Sequence, residues 1–404
     1  MTQPNAARPF APGPFTGIRV IDITHVLAGP FSTYQLAVHG ADVIKVEPPE
    51  GDMVRILGGD EADNTNRMGT AFLTQASNKR SIVLDLKQPE GQDALRKLAA
   101  TADVLVENFR PGALAALGLG YEDLAKVNPR LIYASFSAFG QDGPRGNFTA
   151  YDHVIQANSG IMATTGEQGG RPIKFGSPVI DYATGTTGAF ALATALFQRE
   201  RTGKGQRIDM AMMDVALVMM ASHVTEYTRT GHHPEPHGHW QGYASGSCWP
   251  TKDGYLILGA MNIAQQRRFW AAIGREDMAK TTHAERRADE TNEKQVVGDL
   301  LLTRTAQEWE DFFQPRHVPA GRVRRLEETL QDPHLSHRAV LHHHAGAPGV
   351  GGGFDVPLAA FKLAHGSASV QTPPPRMGQH TDSVLSELGY SAADIAGLRA
   401  KGVV

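Results

Sequence analysis

The sequence offers one carboxylate, Asp181, whose surroundings could support nucleophilic chemistry. It follows a short apolar stretch, residues 177–180, that we interpret as a strand. It precedes residues 184–195, which are rich in Gly, Ala and Thr and have the apolar spacing of a helix. An Asp at such a corner can act as the N-cap of the helix. Small neighbours could equally leave the carboxylate open to a bulky electrophile, as a nucleophile requires. These residues alone leave both interpretations open.

Basic residues fall at or just after the ends of the predicted strands, or in the loops between them. In open α/β sheets, ligands bind at the carboxyl edge of the strands. Several cations converging there would suit a phosphorylated ligand. A solvated basic rim is the alternative interpretation. The residues concerned are Lys45, Arg55, Lys79, Arg80, Lys87 and Arg110.

The elements that must position these groups alternate between strand-like and helical segments in the first half of the chain. Apolar strands separated by helices favour a mostly parallel sheet covered on both faces. This predicts an α/β fold with a Rossmann-like large domain. The sequence has neither the G-x-G-x-x-G dinucleotide fingerprint nor a Walker A motif. The predicted strands are residues 18–23, 42–47, 81–86, 103–107, 131–136 and 207–210.

The length of 404 residues and a change of composition after Gly231 predict more than one domain. We expect a disordered lead-in at 1–16, the first part of the large domain at 17–228, and a linker with an active-site loop at 229–250. A smaller α+β domain at 251–330 and a segment returning to the large domain at 331–404 complete the chain. Within the smaller domain, Asp253-Gly254 predicts a hairpin turn. The methionine-rich residues 214–227 predict one long helix for the core or a subunit contact.

Composition limits the partners and the location. The formal net charge of −3 gives no reason to expect nucleic acid or an anionic membrane as a partner. No apolar run is long enough to cross a bilayer. The single cysteine excludes an internal disulfide framework and fits a reducing compartment. We therefore expect a cytoplasmic protein.

The histidine clusters invite a metal interpretation that their surroundings do not favour. His237 with His239, and residues 342–344, have no carboxylate or cysteine at a usable spacing. We predict no metal site. A serine triad is also disfavoured, because no G-x-S-x-G elbow occurs.

Short segments in a fixed order along the chain form a more specific pattern. They are residues 17–22, 28–30, 40–47, Gly51-Asp52 with Arg55, 78–81, 103–112, 140–144, 202–206 and 378–381. Through these segments the chain resembles the class III CoA-transferases, the CaiB–BaiF family, over nearly its full length. The resemblance implies a Rossmann-like large domain, a smaller α+β domain and a C-terminal return segment. It also implies that two chains interlock as a homodimer.

By this resemblance Asp181 stands at the catalytic aspartate. The implied substrates are an acyl-CoA donor and a carboxylic acid acceptor. The carboxylate attacks the thioester to give a mixed anhydride, and the released thiolate then forms an aspartyl-CoA thioester. The coenzyme A thioester is a substrate, and no tightly bound cofactor is expected.

The family also contains racemases that invert the carbon beside the thioester by proton transfer. Those carry a histidine thirty residues before the aspartate and a glutamate in the second domain. This chain has Tyr151 and Asn262 at these positions. Tyrosine titrates near pH ~10 and asparagine does not titrate, so a transferase is favoured over a 2-methylacyl-CoA racemase. A non-catalytic acyl-CoA-binding protein is the alternative of another class.

The chain differs from the formyl-CoA transferase type at several positions. Pro48 and Ala116 replace two arginines that hold CoA there, and residues 237–242 replace a tetraglycine flap. Asp152 keeps a carboxylate, whereas Leu27 replaces a glutamine. The active-site positions implied by the resemblance, besides Asp181, are Leu27, Tyr151, Asp152, His237, Gly238 and Gln241.

Coenzyme A is expected along the carboxyl edge of the sheet, with other cations replacing the two arginines. The expected CoA-binding residues are Val26, Ala28, Arg55, Leu84, Leu86, Lys87, Asn108, Phe109 and Arg110. Polar groups in the flap replacement, such as His237, His239 and Gln241, favour a small carboxylic or dicarboxylic acid of the succinyl type. A long fatty acyl chain would leave them buried without partners.

Overall fold

The computed structural model describes residues 13–404. Most of the predicted lead-in therefore lies outside the described residues. Its last part, residues 13–16, forms a turn, and Phe15 donates its backbone N–H to the carbonyl of His39 at 3.1 Å. The Phe15 side chain packs against the core on one face of the main sheet. Residues 13–16 are thus ordered, contrary to expectation.

The described residues form strands and helices in the following order. The strands are β1 Arg19–Asp22, β2 Asp42–Glu47, β3 Lys79–Val83, β4 Val104–Glu107, β5 Ile132–Ser137, β6 Gln206–Ala211, β7 Cys248–Pro250, β8 Tyr255–Leu258, β9 Ala320–Arg322, β10 Leu341–His344 and β11 Phe354–Pro357. The helices are α1 Ala28–Val38, α2 Glu61–Thr65, α3 Thr70–Leu73, α4 Pro89–Thr101, α5 Ala113–Ala116, α6 Tyr121–Val127, α7 Asp152–Ser159, α8 Val179–Thr202, α9 Met212–Met219, α10 Ala221–Thr230, α11 Ile263–Ala272, α12 His283–Ala288, α13 Glu290–Leu301, α14 Ala306–Phe313, α15 Leu326–Leu330, α16 Pro333–Arg338, α17 Thr381–Glu387 and α18 Ala392–Ala400.

The chain divides into two compact units. The first contains described residues up to Ser159, then Phe175–Thr228 and Ser336–Val404. The second contains Gly160–Lys174 and Arg229–Leu335. Residues 160–174 were expected in the large domain, but they belong to the second unit. The C-terminal part of the first unit begins at Ser336, whereas the return segment was expected from residue 331.

A six-stranded parallel sheet forms the centre of the first unit, in the order β3-β2-β1-β4-β5-β6. Every residue of β2 is buried, as expected for a parallel strand covered on both faces. The predicted α/β class with a mostly parallel sheet is therefore confirmed. Because the strand order reverses between β1 and β4, their carboxyl ends border the crevice where such sheets bind ligands.

Helix α8 packs closely against α1 and the sheet because its first half contains glycine. A Cβ atom at Gly188 would lie 2.4 Å from Cζ of Phe136, and one at Gly185 would lie 2.8 Å from the carbonyl oxygen of Ala28. Both distances are too short for any other residue without movement. The small residues after Asp181 therefore allow close helix packing, and this close packing sets where the start of α8 meets the β1–α1 loop.

The return segment binds the outer edge of the main sheet. Asn78, just before β3, accepts the backbone N–H groups of Gln371 and Thr372 at 2.7 and 3.0 Å. Ser81 exchanges backbone contacts with His380, donating its N–H to Nδ1 at 3.2 Å and accepting the His380 N–H at 2.9 Å. Two of the segments that carried the family resemblance, 78–81 and 378–381, are therefore joined, and the edge strand is covered.

The second unit contains the antiparallel sheet β7-β8-β9. The β7–β8 hairpin closes where the N–H of Thr251 donates to the carbonyl of Gly254 at 2.8 Å, so the predicted Asp-Gly turn is present. Its core is aromatic, with Trp270, Trp309 and Phe313 almost fully buried.

The predicted long helix at 214–227 is interrupted. The N–H of Met220 donates to the carbonyls of Ala216 and Leu217 at 3.2 and 3.1 Å, which closes α9 in a tight turn before α10 begins. Between residues 13 and 404, no helix combines the length and apolar character needed to span a bilayer.

Candidate active site

The crevice at the reversal of strand order is formed by the loops that follow β1 and β4. The side chain of Asn108, just after β4, accepts the backbone N–H of His25 at 2.9 Å and donates to its carbonyl at 2.8 Å. This pair of hydrogen bonds joins the two loops. The β1–α1 loop, residues 23–27, is therefore held in place at the carboxyl edge of the sheet.

Asp181 lies in the first turn of α8, so the interpretation of a strand-to-helix corner is wrong. The apolar residues Val179 and Ile180 begin the helix themselves, and its N-cap position is Pro178. Asp181 is therefore not the N-cap. A short apolar run cannot be assigned to strand or helix by its composition alone, which explains the error.

The capping role belongs to Asp152, in the first turn of α7. Its Oδ2 accepts the backbone N–H groups of Ile180 at 2.7 Å and of Asp181 at 3.1 Å. The amide of Gln156 donates to Oδ1 of Asp152, and Oε1 of Gln156 accepts the N–H of Phe175 at 2.8 Å. Asp152 is buried. Its charge thus stabilises the positive end of a 24-residue helix.

Asp181 lines a half-open cavity of about 240 Å³ within the first unit. Six positions predicted for the active site or for CoA come together there: Val26, Leu27, Ala28, Asn108, Tyr151 and Asp181. The remaining lining residues were not predicted from the sequence; they are His25, Phe136, Ser137, Ala138, Ala150 and Met212. Five of the six lie at or just after the carboxyl ends of β1, β5 and β6, which was a usable signal, since those strand ends meet at one edge.

The environment of Asp181 disfavours its charged form. Burial, and next the negative charge of Asp152, raise the pKa of Asp181 from 3.8 to about 7. Across residues 13–404, no lysine or arginine forms an ion pair with this carboxylate or lowers its pKa. The helix N-terminus would favour an anion, but Asp152 already accepts the N–H groups of Ile180 and Asp181. Such a perturbed carboxylate beside a cavity is a candidate functional group.

His25 and Phe109 form an aromatic wall near the cavity, with ring centroids 5.7 Å apart in an edge-on arrangement. Burial, and next the positive charge of Lys45, lower the pKa of His25. His25 is therefore neutral at pH 7 and can offer only a neutral donor or acceptor to a ligand.

Arg55 does not fit its predicted role in CoA binding. Its side chain is fully buried, and its Nε and Nη2 donate to the two carboxylate oxygens of Glu47 at 2.6 and 2.7 Å. Its Nη1 donates to the carbonyl oxygens of Arg67 and Pro375 at 3.2 and 3.4 Å. The guanidinium also lies over the ring of Phe72. No face of Arg55 remains for a phosphate.

Leu84 is also unsuited to side-chain contact with a nucleotide, because it is 1 % exposed and belongs to the core beneath α4. Leu86 is partly buried against the same core. Lys87 and Arg110, by contrast, are exposed. Nζ of Lys87 lies 3.8 Å from Oε1 of Glu50 in an exposed ion pair. Of the three expected cations, these two are accessible to a phosphate.

His237, Gly238 and Gln241 belong to the second unit. Gly238 has a positive φ of 56° and donates its N–H to the carbonyl of Gly166 at 2.7 Å. A Cβ at this position would collide with the carboxylate of Glu167. The positive φ favours glycine at position 238, whereas the flexible carboxylate of the exposed Glu167 can move away from an added Cβ.

The sequence and the fold are similar to those of one known protein family. Residues 15–381 match the family described as CoA-transferase family III. The chain is 37 % identical to succinate–glutarate CoA-transferase of Agrobacterium fabrum, over 93 % of this chain and 96 % of that protein. It is 35 % identical to succinyl-CoA:glutarate CoA-transferase of Mus musculus, over 97 % and 90 %.

Among solved structures, a CaiB/BaiF family protein from Brucella suis has a TM-score of 0.81 at 30 % identity. The similarity covers 94 % of this chain and all of that one. The chain therefore belongs to CoA-transferase family III, and it is an enzyme of the CoA-transferase class, as its sequence segments had indicated.

Proposed function

We propose that this enzyme moves CoA from an acyl-CoA donor to a carboxylic acid through covalent intermediates on Asp181. The observation that carries the proposal is the state of Asp181: a carboxylate on the wall of a cavity, with a raised pKa and with no ion-pair partner among residues 13–404. A poorly solvated carboxylate is a stronger nucleophile than one in water, because less hydration must be removed before it attacks. Its pKa of about 7 leaves a large fraction ionised at neutral pH.

Each step of the proposed exchange replaces one acyl bond with another, so the reaction needs no external energy source. A carboxylate oxygen of Asp181 attacks the thioester carbonyl, the C–S bond breaks, and an acyl-aspartyl anhydride and CoA thiolate form. The thiolate attacks the aspartyl carbonyl, which releases the donor acid and leaves an aspartyl-CoA thioester. The acceptor carboxylate then attacks this thioester, its C–S bond breaks, and a new anhydride and CoA thiolate form. The thiolate finally attacks the acceptor's acyl carbonyl and regenerates Asp181.

CoA is proposed to lie along the carboxyl edge of the sheet, near Val26–Ala28 and the loop that begins at Asn108. Arg110 and Lys87 are the accessible cations for its phosphates, and Phe109 offers an apolar surface. Arg55 and Leu84 are not included, because both are buried. Leu27 and Tyr151 line the cavity beside Asp181 and are proposed to contact the acyl group.

We propose a small dicarboxylic acid of the succinyl type as one partner in the exchange. Two of the most similar relatives are named for succinate or succinyl-CoA together with glutarate. The polar side chains of the 237–241 segment suggested the same class independently of those names. A panel of acyl-CoA donors and acids, read by mass spectrometry for new CoA esters, tests this choice; turnover only with long-chain or branched substrates contradicts it.

A homodimer is also proposed. Phe190 and Phe197 lie seven residues apart on one face of α8 and are 74 % and 61 % exposed. Val218 and Met219 at the end of α9 are exposed as well. Large exposed apolar side chains on neighbouring helices are characteristic of a surface that is covered by a partner. Light scattering of the purified protein should give a mass twice that of the 43.6 kDa chain.

The proposal for Asp181 is tested by trapping. Enzyme loaded with an acyl-CoA and treated with hydroxylamine or borohydride should be modified at Asp181 alone, as read by peptide mass spectrometry. Asp181→Ala should lose at least about 1,000-fold in exchange rate while staying folded, and Asp142→Ala, an exposed carboxylate, serves as the matched control. Activity of Asp181→Ala above a few per cent contradicts the proposal. Exchange of the hydrogen beside the thioester in deuterated water, with no acceptor acid, would instead indicate a racemase.

A further inference from the structure

Val26, on the wall of the Asp181 cavity, has an unusual backbone conformation. Its φ is +70°, in the left-handed region. A β-branched residue is rarely found there, because its Cβ approaches the neighbouring carbonyl oxygen too closely. Such a conformation persists only where surrounding contacts enforce it, and it often occurs at functional sites. The contacts that hold Val26 therefore decide the shape of the β1–α1 loop.

Two buried side chains hold the Val26 backbone from opposite sides. The carboxylate of Asp52 accepts its N–H, with the two oxygens 3.2 and 3.3 Å from the nitrogen. The amide of Gln75 donates to its carbonyl oxygen at 2.6 Å. Asp52 and Gln75 are 1 % and 2 % exposed. Both lie outside the loop, so together they form a clamp on Val26.

The Asp52 carboxylate is itself fixed. Nζ of Lys45 lies 3.2 Å from its Oδ2 and also donates to the carbonyl of Thr24 at 2.8 Å. The N–H of Val54 donates to Oδ1 at 3.2 Å, and Nδ1 of His25 lies 4.0 Å from Oδ2. The charge of Asp52 is thus compensated in the protein interior. The Gly51-Asp52 segment contributed to the family resemblance but had no assigned role.

We propose that Asp52, supported by Lys45 and Gln75, is a positioning residue that fixes Val26–Ala28 as the wall of the Asp181 cavity. This inference rests on the proposed function, in which the same loop contacts the CoA thioester. If the clamp is released, Val26 can relax to a negative φ and the peptide that leads into α1 rotates. The carbonyl of Ala28, close to Gly185 of α8, then moves relative to the start of that helix. Asp52 does not line the cavity and acts only through this loop.

The test measures affinity for CoA in the Asp181→Ala background, where no turnover occurs, by titration calorimetry. Adding Asp52→Ala should weaken CoA binding about 10- to 100-fold, the scale expected when a binding group is misplaced. Glu61→Ala, which removes an exposed carboxylate nearby, should leave affinity unchanged. Failure of the proposed function would appear separately, as retained exchange activity of Asp181→Ala alone.

A second background separates positioning from a general structural role. Glycine adopts positive φ without strain, so in a Val26→Gly background the loop needs the clamp less. The loss of CoA affinity caused by Asp52→Ala should therefore be several-fold smaller there. An equal loss in both backgrounds, or no loss in either, overturns the inference.

If Asp52→Ala does not fold, because Lys45 is left buried without its partner, Gln75→Leu replaces it. That change removes the other side of the clamp without leaving a charge unpaired. Circular dichroism establishes folding. Weaker CoA binding by folded Gln75→Leu supports the inference, and unchanged binding overturns it.

Discussion

Asp152 and Asp181 meet at the start of one helix, where the Oδ2 of Asp152 accepts the backbone N–H of Asp181 at 3.1 Å. Asp152 also accepts the N–H of Ile180, so it occupies the donors that usually stabilise an anion at a helix N-terminus. The Asp181 carboxylate is instead buried and lies near the negative charge of Asp152, and both effects raise its pKa. One carboxylate thus orders the helix, while the other remains available to a ligand.

The raised pKa of Asp181 predicts a pH-dependent rate. Only the ionised form is nucleophilic, so kcat/KM for the acyl-CoA donor should rise with pH through about 7. Asp152→Asn keeps an acceptor for the two N–H groups but removes the negative charge. The rising limb should then move to lower pH. Initial rates between pH 5 and 9 measure both profiles, and identical midpoints for the two proteins would contradict the electrostatic argument.

The raised pKa of Asp181 also predicts that the stability of the protein depends on pH. The pKa of Asp181 is about 7 in the folded protein, against an ordinary value of 3.8 for the unfolded chain, so the folded state holds its proton more tightly. Its contribution to stability is fully present below pH ~4 and is lost as the pH rises through about 7. Asp181→Asn should therefore melt a few degrees higher than the native protein at pH 8, with little difference at pH 4. Thermal scans at the two pH values provide the measurement; a lower Tm for the variant at pH 8 contradicts the prediction.

Close packing of α8 predicts opposite effects for two glycine substitutions. Gly188→Ala would place a Cβ against the buried ring of Phe136, and such overpacking costs about 1–3 kcal/mol. Gly397→Ala is the control, because a Cβ there meets nothing within 4 Å in a helix interior. It should stabilise the protein by up to about 1 kcal/mol. Urea unfolding distinguishes the two, and equal effects would show that the contact of α8 with the sheet is not tight.

Substitution of Arg55 should mainly affect stability, whereas substitution of Lys87 should mainly affect CoA binding. Arg55→Met leaves Glu47 buried without its partner, and breaking such a pair costs about 3–5 kcal/mol of unfolding free energy. Lys87→Ala affects an exposed side chain and should change stability by less than about 0.5 kcal/mol.

Steady-state kinetics with CoA esters test the proposed role of the exposed cations. Lys87→Ala and Arg110→Ala are expected to raise KM for CoA esters more than they lower kcat, since phosphate contacts are made equally before and during reaction. Arg55→Met with normal stability and a raised KM would restore Arg55 as a CoA contact. If neither Lys87→Ala nor Arg110→Ala alters affinity, CoA does not lie along this edge.

Much of the fold could be predicted from the sequence because its signals are local. The apolar runs at 42–47 and 131–136 indicated buried parallel strands, and ordered segments such as 78–81 identified the family. The parallel sheet and family membership are confirmed. Asp181 was identified as the candidate nucleophile by resemblance, and that role stays a prediction.

Only the tertiary structure decided which polar groups are available. Arg55 carries the same charge as Lys87, yet its buried carboxylate partner Glu47, eight residues earlier, holds it in the protein interior and removes it from any ligand site. Asp152 caps a helix that begins 27 residues later, and Asp52 holds a backbone group 26 residues earlier. Neither contact has a local sequence signature, because hydrogen bonds between distant segments depend on how the chain packs. The sequence determined the elements and the family, and packing determined the environment of Asp181.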